Sequence, residues 1–402
     1  MKSQSLCVLF LIMLILLLAS PPVSSSESIN DKTSEQGNPT KGWKAFYEKG
    51  CIKCHSVWGE GGNEGPDLAV SEDKRRDITE SSLASSLWNH APVMLEKIVL
   101  KEIKYEPVSK EEMSDIFSFL TFIRSTIEIG DPKKGASFFE EKKCSVCHSI
   151  KGKGGRVGPE LSGWGKYTSP VVWADLMWNH APAMKREMAK KGIKWPTFEK
   201  SDMADLVAYI KEVSGVSEKE YLSPGNAAEG EEIFRRKGCI ACHSVYGKGG
   251  KAGPDLSKAL SSGENGIITI MQIAGLMWNH SPLMISRGAS ISEGKLELTS
   301  DEMSHLVAYL LSLRRVETAG DAKMGAELFN TKKCSSCHVK GTGKIDGKIS
   351  LPSDNNKISP IYMAWAMWNH GPKMRDEMKK KNIQWPLMED SELADIAAFL
   401  NN

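Results

Sequence analysis

The sequence predicts an all-α protein made of four tandem copies of one small helical unit. Three observations predict it. A Cys-x-x-Cys-His segment occurs four times, its first cysteines 93, 95 and 95 residues apart. A Trp-Asn-His element followed by Pro and Met occurs once per unit. Apolar residues near each unit's end fall three and four apart, as on an amphipathic helix. The 402 residues are 41% hydrophobic and 25% charged, which excludes a disordered chain and a polytopic membrane protein. A formal net charge of +2 leaves no basic excess for nucleic acid.

The elements follow in chain order. Lys2 precedes an apolar run from Leu6 to Ala19, and small residues and prolines follow it. This pattern predicts a secretory signal peptide over 1–26. The run's 14 residues fall short of the about 20 needed to span a bilayer, so an uncleaved anchor is the less favoured reading. Residues 27–37 read as a flexible leader, and Cys7 leaves with the signal. The units are expected at 38–128, 129–222, 223–318 and 319–402, the last diverging after its Cys motif.

Each unit opens with a helix carrying Gly and Phe four apart: Gly42/Phe46, Gly135/Phe139, Gly230/Phe234 and Gly325/Phe329. That spacing puts both on one face. The Cys motif comes next, and then a Gly-rich irregular loop ending in Gly-Pro-acid-Leu in the first three units (Gly65 to Leu68, Gly158 to Leu161, Gly253 to Leu256). A middle helix runs into Trp-Asn-His and is expected to stop or kink at the Pro two residues on. A closing helix, capped by Ser or Asp, ends the unit. Unit 4 lacks Gly-Pro-acid-Leu; Leu351-Pro352-Ser353-Asp354 is the nearest substitute.

All cysteines except Cys7 lie in the four motifs: Cys51 and Cys54, Cys144 and Cys147, Cys239 and Cys242, Cys334 and Cys337. Two thiols three apart, followed at once by His, suit covalent attachment of haem, with the His binding iron from the same side. The proximal ligands are then His55, His148, His243 and His338. A thioredoxin-like pair needs a βαβ context that is not visible. Structural zinc needs four ligands, which this spacing does not pair naturally. A haem would also supply much of the core of a unit of about 90 residues. Two repeated candidates exist for the sixth ligand: Met94, Met184, Met284 and Met374, or His90, His180, His280 and His370.

At these residues the sequence resembles class I cytochromes c, four times over. The resemblance rests on Gly-x-x-x-Phe, Cys-x-x-Cys-His, Gly-Pro-acid-Leu and the terminal helix ending in Ala-Tyr or Ala-Phe. It implies a small helical fold around each of four covalently bound haem c groups. In that family the distal Met follows five residues after an Asn, as Met94, Met184, Met284 and Met374 do here. The resemblance therefore favours Met, leaving the histidines as alternative ligands or haem-edge residues. The family's Pro-Ala-Phe does not follow the Met; Trp195-Pro196-Thr197-Phe198 and Trp385-Pro386-Leu387-Met388 stand later instead. The Pro carbonyl usually fixes the proximal ring, so the fourth haem is expected to differ in potential. Met188 and Met378 read as packing residues, His305 as a surface residue, and the clusters Lys190–Lys191 and Lys379–Lys381 as solvated faces.

The expected function is that of an electron carrier between respiratory redox proteins on the periplasmic or cell-surface side of a bacterial membrane, with no catalytic residues. Four units in a row would set the haems as a chain. The rivals are a peroxidase or oxyanion reductase with one open iron site, and a relay subunit of a membrane respiratory complex.

Overall fold

The computed structural model describes residues 37–402 apart from 70–78, 127–129, 167–168, 216–223, 261–267, 289–295, 314–319, 342–343, 346 and 352–356. The predicted signal peptide and most of the leader lie outside the described residues. Unit 1 contains helices α1 (Pro39–Glu48), α2 (Glu80–Leu100) and α3 (Lys110–Ser125). Unit 2 contains α4 (Pro132–Glu141), α5 (Pro170–Lys190) and α6 (Asp202–Ser214). Unit 3 contains α7 (Ala227–Arg236), a short α8 (Leu256–Ala259), α9 (Ile270–Gly288) and α10 (Ser300–Ser312). Unit 4 contains α11 (Ala322–Thr331), α12 (Pro360–Lys380) and α13 (Glu392–Asn401).

Each opening helix starts because Asn38, Asp131, Asn226 or Asp321 accepts hydrogen bonds from backbone N–H groups two and three residues on. It then crosses the closing helix of its unit at backbone contact. A Cβ on Gly42, Gly135, Gly230 or Gly325 would stand 1.9 to 2.0 Å from the carbonyl of Asp115, Asp205, His305 or Asp395. One turn later the aromatic pairs Phe46–Phe119, Phe139–Tyr209, Phe234–Tyr309 and Phe329–Phe399 lock the crossing, centroids 5.6 to 5.9 Å apart. The Gly-x-x-x-Phe pattern is therefore a helix-crossing device.

His305 is a correction to the surface reading. Its side chain is only 16% exposed, and Nδ1 accepts from Asn226 N at 2.7 Å. Asp115, Asp205 and Asp395 do the same for Asn38, Asp131 and Asp321. His305 thus replaces a repeated carboxylate that closes the start of the opening helix, and its Nε2 faces Glu229 at 3.1 Å.

The loops after the Cys motifs are more ordered than the sequence suggests. Two-residue antiparallel ladders form in units 1 to 3: β1 (Ser56–Val57) with β2 (Glu60–Gly61), β3 (Ser149–Ile150) with β4 (Lys153–Gly154), and β5 (Ser244–Val245) with β6 (Lys248–Gly249). Unit 4 differs. Its β7 (His338–Lys340) pairs in parallel with β9 (Lys348–Leu351), which also pairs antiparallel with β8 (Lys344–Ile345).

The middle helices do not stop at proline. All four run through Pro92, Pro182, Pro282 and Pro372, to Leu100, Lys190, Gly288 and Lys380. Proline removes the N–H owed to the carbonyl four residues back, here that of the motif's Trp. In three units another side chain supplies the donor. Trp88 O accepts from Trp385 Nε1 at 3.1 Å, Trp278 O from Trp195 Nε1 at 3.2 Å, and Trp368 O from the Tyr105 hydroxyl. Each of these donors comes from a different unit; in unit 3 the Ser281 hydroxyl donates to the same carbonyl from within the helix, at 2.8 Å.

That docking is reciprocal. Asn89 donates to Met388 O (2.8 Å) and accepts from Met388 N (2.7 Å); Asn369 does the same with Val108. Asn179 pairs likewise with Leu298, and Asn279 with Phe198. The indoles of Trp88, Trp178, Trp278 and Trp368 donate to Pro386, Leu296, Pro196 and Glu106 carbonyls. Rings Tyr105–Trp368 and Trp195–Trp278 stack at 5.4 and 4.1 Å, and Trp88–Trp385 pack tilted at 5.1 Å. Units 1 and 4 are therefore one pair and units 2 and 3 another, each sharing an apolar core. Unit 1 also packs on unit 3 in a common core, and Thr40 donates to Pro224 O. The expected row of four units is thus replaced by the spatial order 2–3–1–4.

Candidate haem sites

Each Cys motif folds as one turn of 3₁₀ helix: Cys51–Lys53, Cys144–Val146, Cys239–Ala241 and Cys334–Ser336. The residue before it has a left-handed backbone, at φ 79° for Gly50 and Gly238 and at 64° and 66° for Lys143 and Lys333. The turn brings the second cysteine and the His onto one side of the loop. None of the eight motif cysteines is paired in a disulfide, which leaves both sulfurs of each motif for the haem. Burial pushes the Cys51, Cys144, Cys239 and Cys334 thiols up to about 11 before attachment.

A lysine two residues before each motif anchors this turn, and the sequence reading missed it. Lys49, Lys142, Lys237 and Lys332 donate to the carbonyls of Pro107, Thr197, Glu297 and Leu387 at 2.5 to 2.8 Å. The same ammonium groups pair with Glu112, Asp202, Glu302 and Glu392 on the closing helices. Its signal was the constant offset of a lysine from each motif.

The proximal rings are oriented as iron ligands need. Nδ1 of His55, His148 and His243 lies 3.0 to 3.1 Å from the carbonyls of Pro66, Pro159 and Pro254. That bond puts the proton on Nδ1 and leaves the Nε2 lone pair for a metal. The rings lie against Gly65, Gly158 and Gly253, where a Cβ would stand 2.4 to 2.5 Å from Cε1. Only glycine admits the imidazole there. Burial lowers the affinity of His148 for a proton, an effect the Pro159 carbonyl partly offsets and a charge on His180 reinforces. In unit 4, His338 stands opposite Ile349 in the β7–β9 pairing, and its buried Nδ1 closes no hydrogen bond. Burial, and then a charge on His370, lower its proton affinity too; the Ile349 backbone is near enough to offset this in part without reaching hydrogen-bond geometry.

On the other side of each site lies the middle helix. His90, Met94, Lys97 and Lys101 fall on one stripe of α2. Lys101 Nζ is 2.6 Å and Lys97 Nζ 3.5 Å from the Glu64 carboxylate, inside the unit's own Cys loop. In unit 3, Arg287 donates to Ala252 O in the corresponding loop at 3.2 Å. The stripe carrying both His and Met therefore faces its own Cys motif. Trp and Asn of the same element face the neighbouring unit. Met184 and Met374 pack against the shared apolar cores. Nδ1 of His90, His180 and His280 lies 2.7 to 2.8 Å from the carbonyl one turn back.

The donor set suits a haem. Two thiols and an Nδ1-bound imidazole share one turn, and a helix face with a second imidazole and a thioether looks at them. Among the described residues no three His, Cys, Asp or Glu side chains converge as a metal cage. When bound, the haem supplies the electron-holding centre.

Comparison with known proteins agrees. The cytochrome c family model matches four times, over 39–122, 132–214, 227–314 and 322–402. Cytochrome c of Cochliobolus lunatus is 40% identical over 107 residues, covering 21% of this chain and 94% of that protein. Cytochrome c of Theileria annulata is 35% identical over 109 residues, covering 21% and 88%. The family implies covalently bound haem c and electron transfer. With the family's unit matched four times over most of its length, the chain belongs to the cytochrome c family as a tandem, multi-domain member.

Proposed function

We propose that this chain is an exported tetrahaem c-type cytochrome that passes electrons one at a time between respiratory redox proteins and catalyses no reaction of its own. One observation carries the reading: every unit's middle helix carries both a His and a Met one turn apart, so no unit lacks residues to close the iron from both sides. An oxyanion reductase or peroxidase needs one position open to substrate. The chain's residues hold and orient the ligands and exclude water; the potential follows from ligand identity, hydrogen bonding and burial. The pairing of units 2 with 3 and 1 with 4 supports a relay in the order 2–3–1–4. Export is supported by Lys2, the apolar run after it and the small residues that follow, the pattern of a secretory signal peptide.

Two measurements test this. The mass of the purified mature chain is expected to exceed its polypeptide mass by four haems. Carbon monoxide added to the reduced protein is expected to leave the spectrum unchanged. Stoichiometric binding at one haem would replace the carrier reading with the enzyme.

A further inference from the structure

Resting on the reading that each unit carries a haem, we propose that the second axial ligand is the middle-helix histidine (His90, His180, His280 and His370) and not the methionine four residues later. The irons are then bis-imidazole centres.

Four observations lead there. First, the helix continues through its proline, so the methionine is not delivered by a loop. His90 and Met94 sit on one stripe, separated by about 6 Å along the axis. An iron with one vacant axial position takes one of them. Second, the ring of His90, His180 and His280 is fixed by Nδ1 to the carbonyl one turn back, at 2.7 to 2.8 Å. This fixes the tautomer that leaves the Nε2 lone pair available, the same device the Pro carbonyls provide for the proximal rings. Third, the other conspicuous members of the element already have work. Trp, Asn and Pro build the joint between units, whereas the histidine takes no part in it. Fourth, Trp164, on the unit's own loop after the Cys motif, stands edge-on to His180 at 5.5 Å between centroids, so the imidazole lies on the side of α5 that faces that loop.

The test uses the full-length, haem-loaded protein. The ferric form is expected to show low-spin bis-imidazole magnetic resonance and no far-red sulfur-to-iron band. His180→Ala is expected to convert a quarter of the haem to a high-spin, carbon-monoxide-binding form. Met184→Leu is expected to keep all four haems low-spin. A sulfur-to-iron band in the wild type, or a high-spin quarter in Met184→Leu with none in His180→Ala, overturns the assignment. Should His180→Ala fail to accumulate, the wild-type spectrum and Met184→Leu still decide it. A chain carrying no haem refutes the underlying reading instead, and the bound-haem mass separates that failure from a wrong ligand.

Discussion

His338 shows how one missing carbonyl bears on a redox centre. In units 1 to 3 a proline carbonyl accepts from the proximal Nδ1 and makes the ring a stronger electron donor. In unit 4 the strand pairing sets Ile349 opposite His338, and the buried Nδ1 closes no bond. A weaker donor stabilises ferric iron less, so haem 4 is expected to have a higher midpoint than it would with the bond. In a spectroelectrochemical titration, at least one resolvable midpoint should move upward relative to the rest. Placing that midpoint on unit 4 requires the His338→Ala spectrum to lose it. Four coincident midpoints would show that the carbonyl is not what tunes the ring. This difference was legible in the sequence as the absent Gly-Pro-acid-Leu, because that motif places a carbonyl at a fixed distance along the chain. The buried role of His305 was not legible. A His at a position where three other units have Asp reads as a surface change until the acceptor it replaces is seen.

At the scale of the element, the middle helix departs furthest from its sequence. Proline ends helices because a carbonyl loses its donor, and no local pattern announces a donor arriving from 80 to 300 residues away. The clue was the second repeated aromatic, Trp195 and Trp385, whose segments stand where the family's Pro-Ala-Phe is displaced; Tyr105 does the same work in unit 1 and was not singled out. A double-mutant cycle measures the arrangement. Trp385→Phe leaves Trp88 O without its partner and should cost about 1–3 kcal/mol. Pro92→Ala restores an N–H to that carbonyl, so in its background Trp385→Phe should cost less than half as much. Equal costs in both backgrounds, read from chemical unfolding, would refute the compensation.

The lysine clamp gives a pH dependence at the same scale. Burial by itself would raise the Glu302 carboxyl, yet Lys237, the Thr299 N–H and Arg236 bring it down to about 2. A carboxylate depressed on folding adds stability above its unfolded value near 4.3, and that stability is lost as the pH falls through the folded value. The clamp should therefore weaken between about pH 5 and pH 2. Glu302→Gln should flatten the fall of the unfolding midpoint across that window. An unchanged slope would show that other carboxylates control acid unfolding.

For the whole molecule, the number of units, their helical plan and the Cys-His turns were legible because each is written within about 95 residues and repeated. The pairing was not, because it joins the first unit to the last. Both members of each joint were present in the sequence, a Trp-Asn pair and a receiving segment that is aromatic in units 1, 2 and 4 and Leu296-Glu297-Leu298 in unit 3, but every unit carries both, and nothing local says which copy meets which. The pairing has a mechanical consequence. Units 2 and 3 complete each other's joint without help, whereas α2 of unit 1 needs residues 385–388 of unit 4. A haem-loaded fragment of residues 129–318 should therefore keep the joint between its two units, with Trp178 and Trp278 as shielded from solvent as in the whole chain, although it uncovers the unit 3 face that packs on unit 1. A fragment ending at 318 that includes unit 1 should expose Trp88, Asn89 and the apolar stripe around Ala91 and Leu95, and should self-associate or lose unit 1 first on heating. Adding residues 319–402 in trans should restore a single species of the full protein's size, because the joint needs proximity and not chain continuity. If the fragment lacking unit 4 is as monomeric and as stable as the whole chain, the first and last units do not depend on one another, and the order 2–3–1–4 loses its mechanical basis.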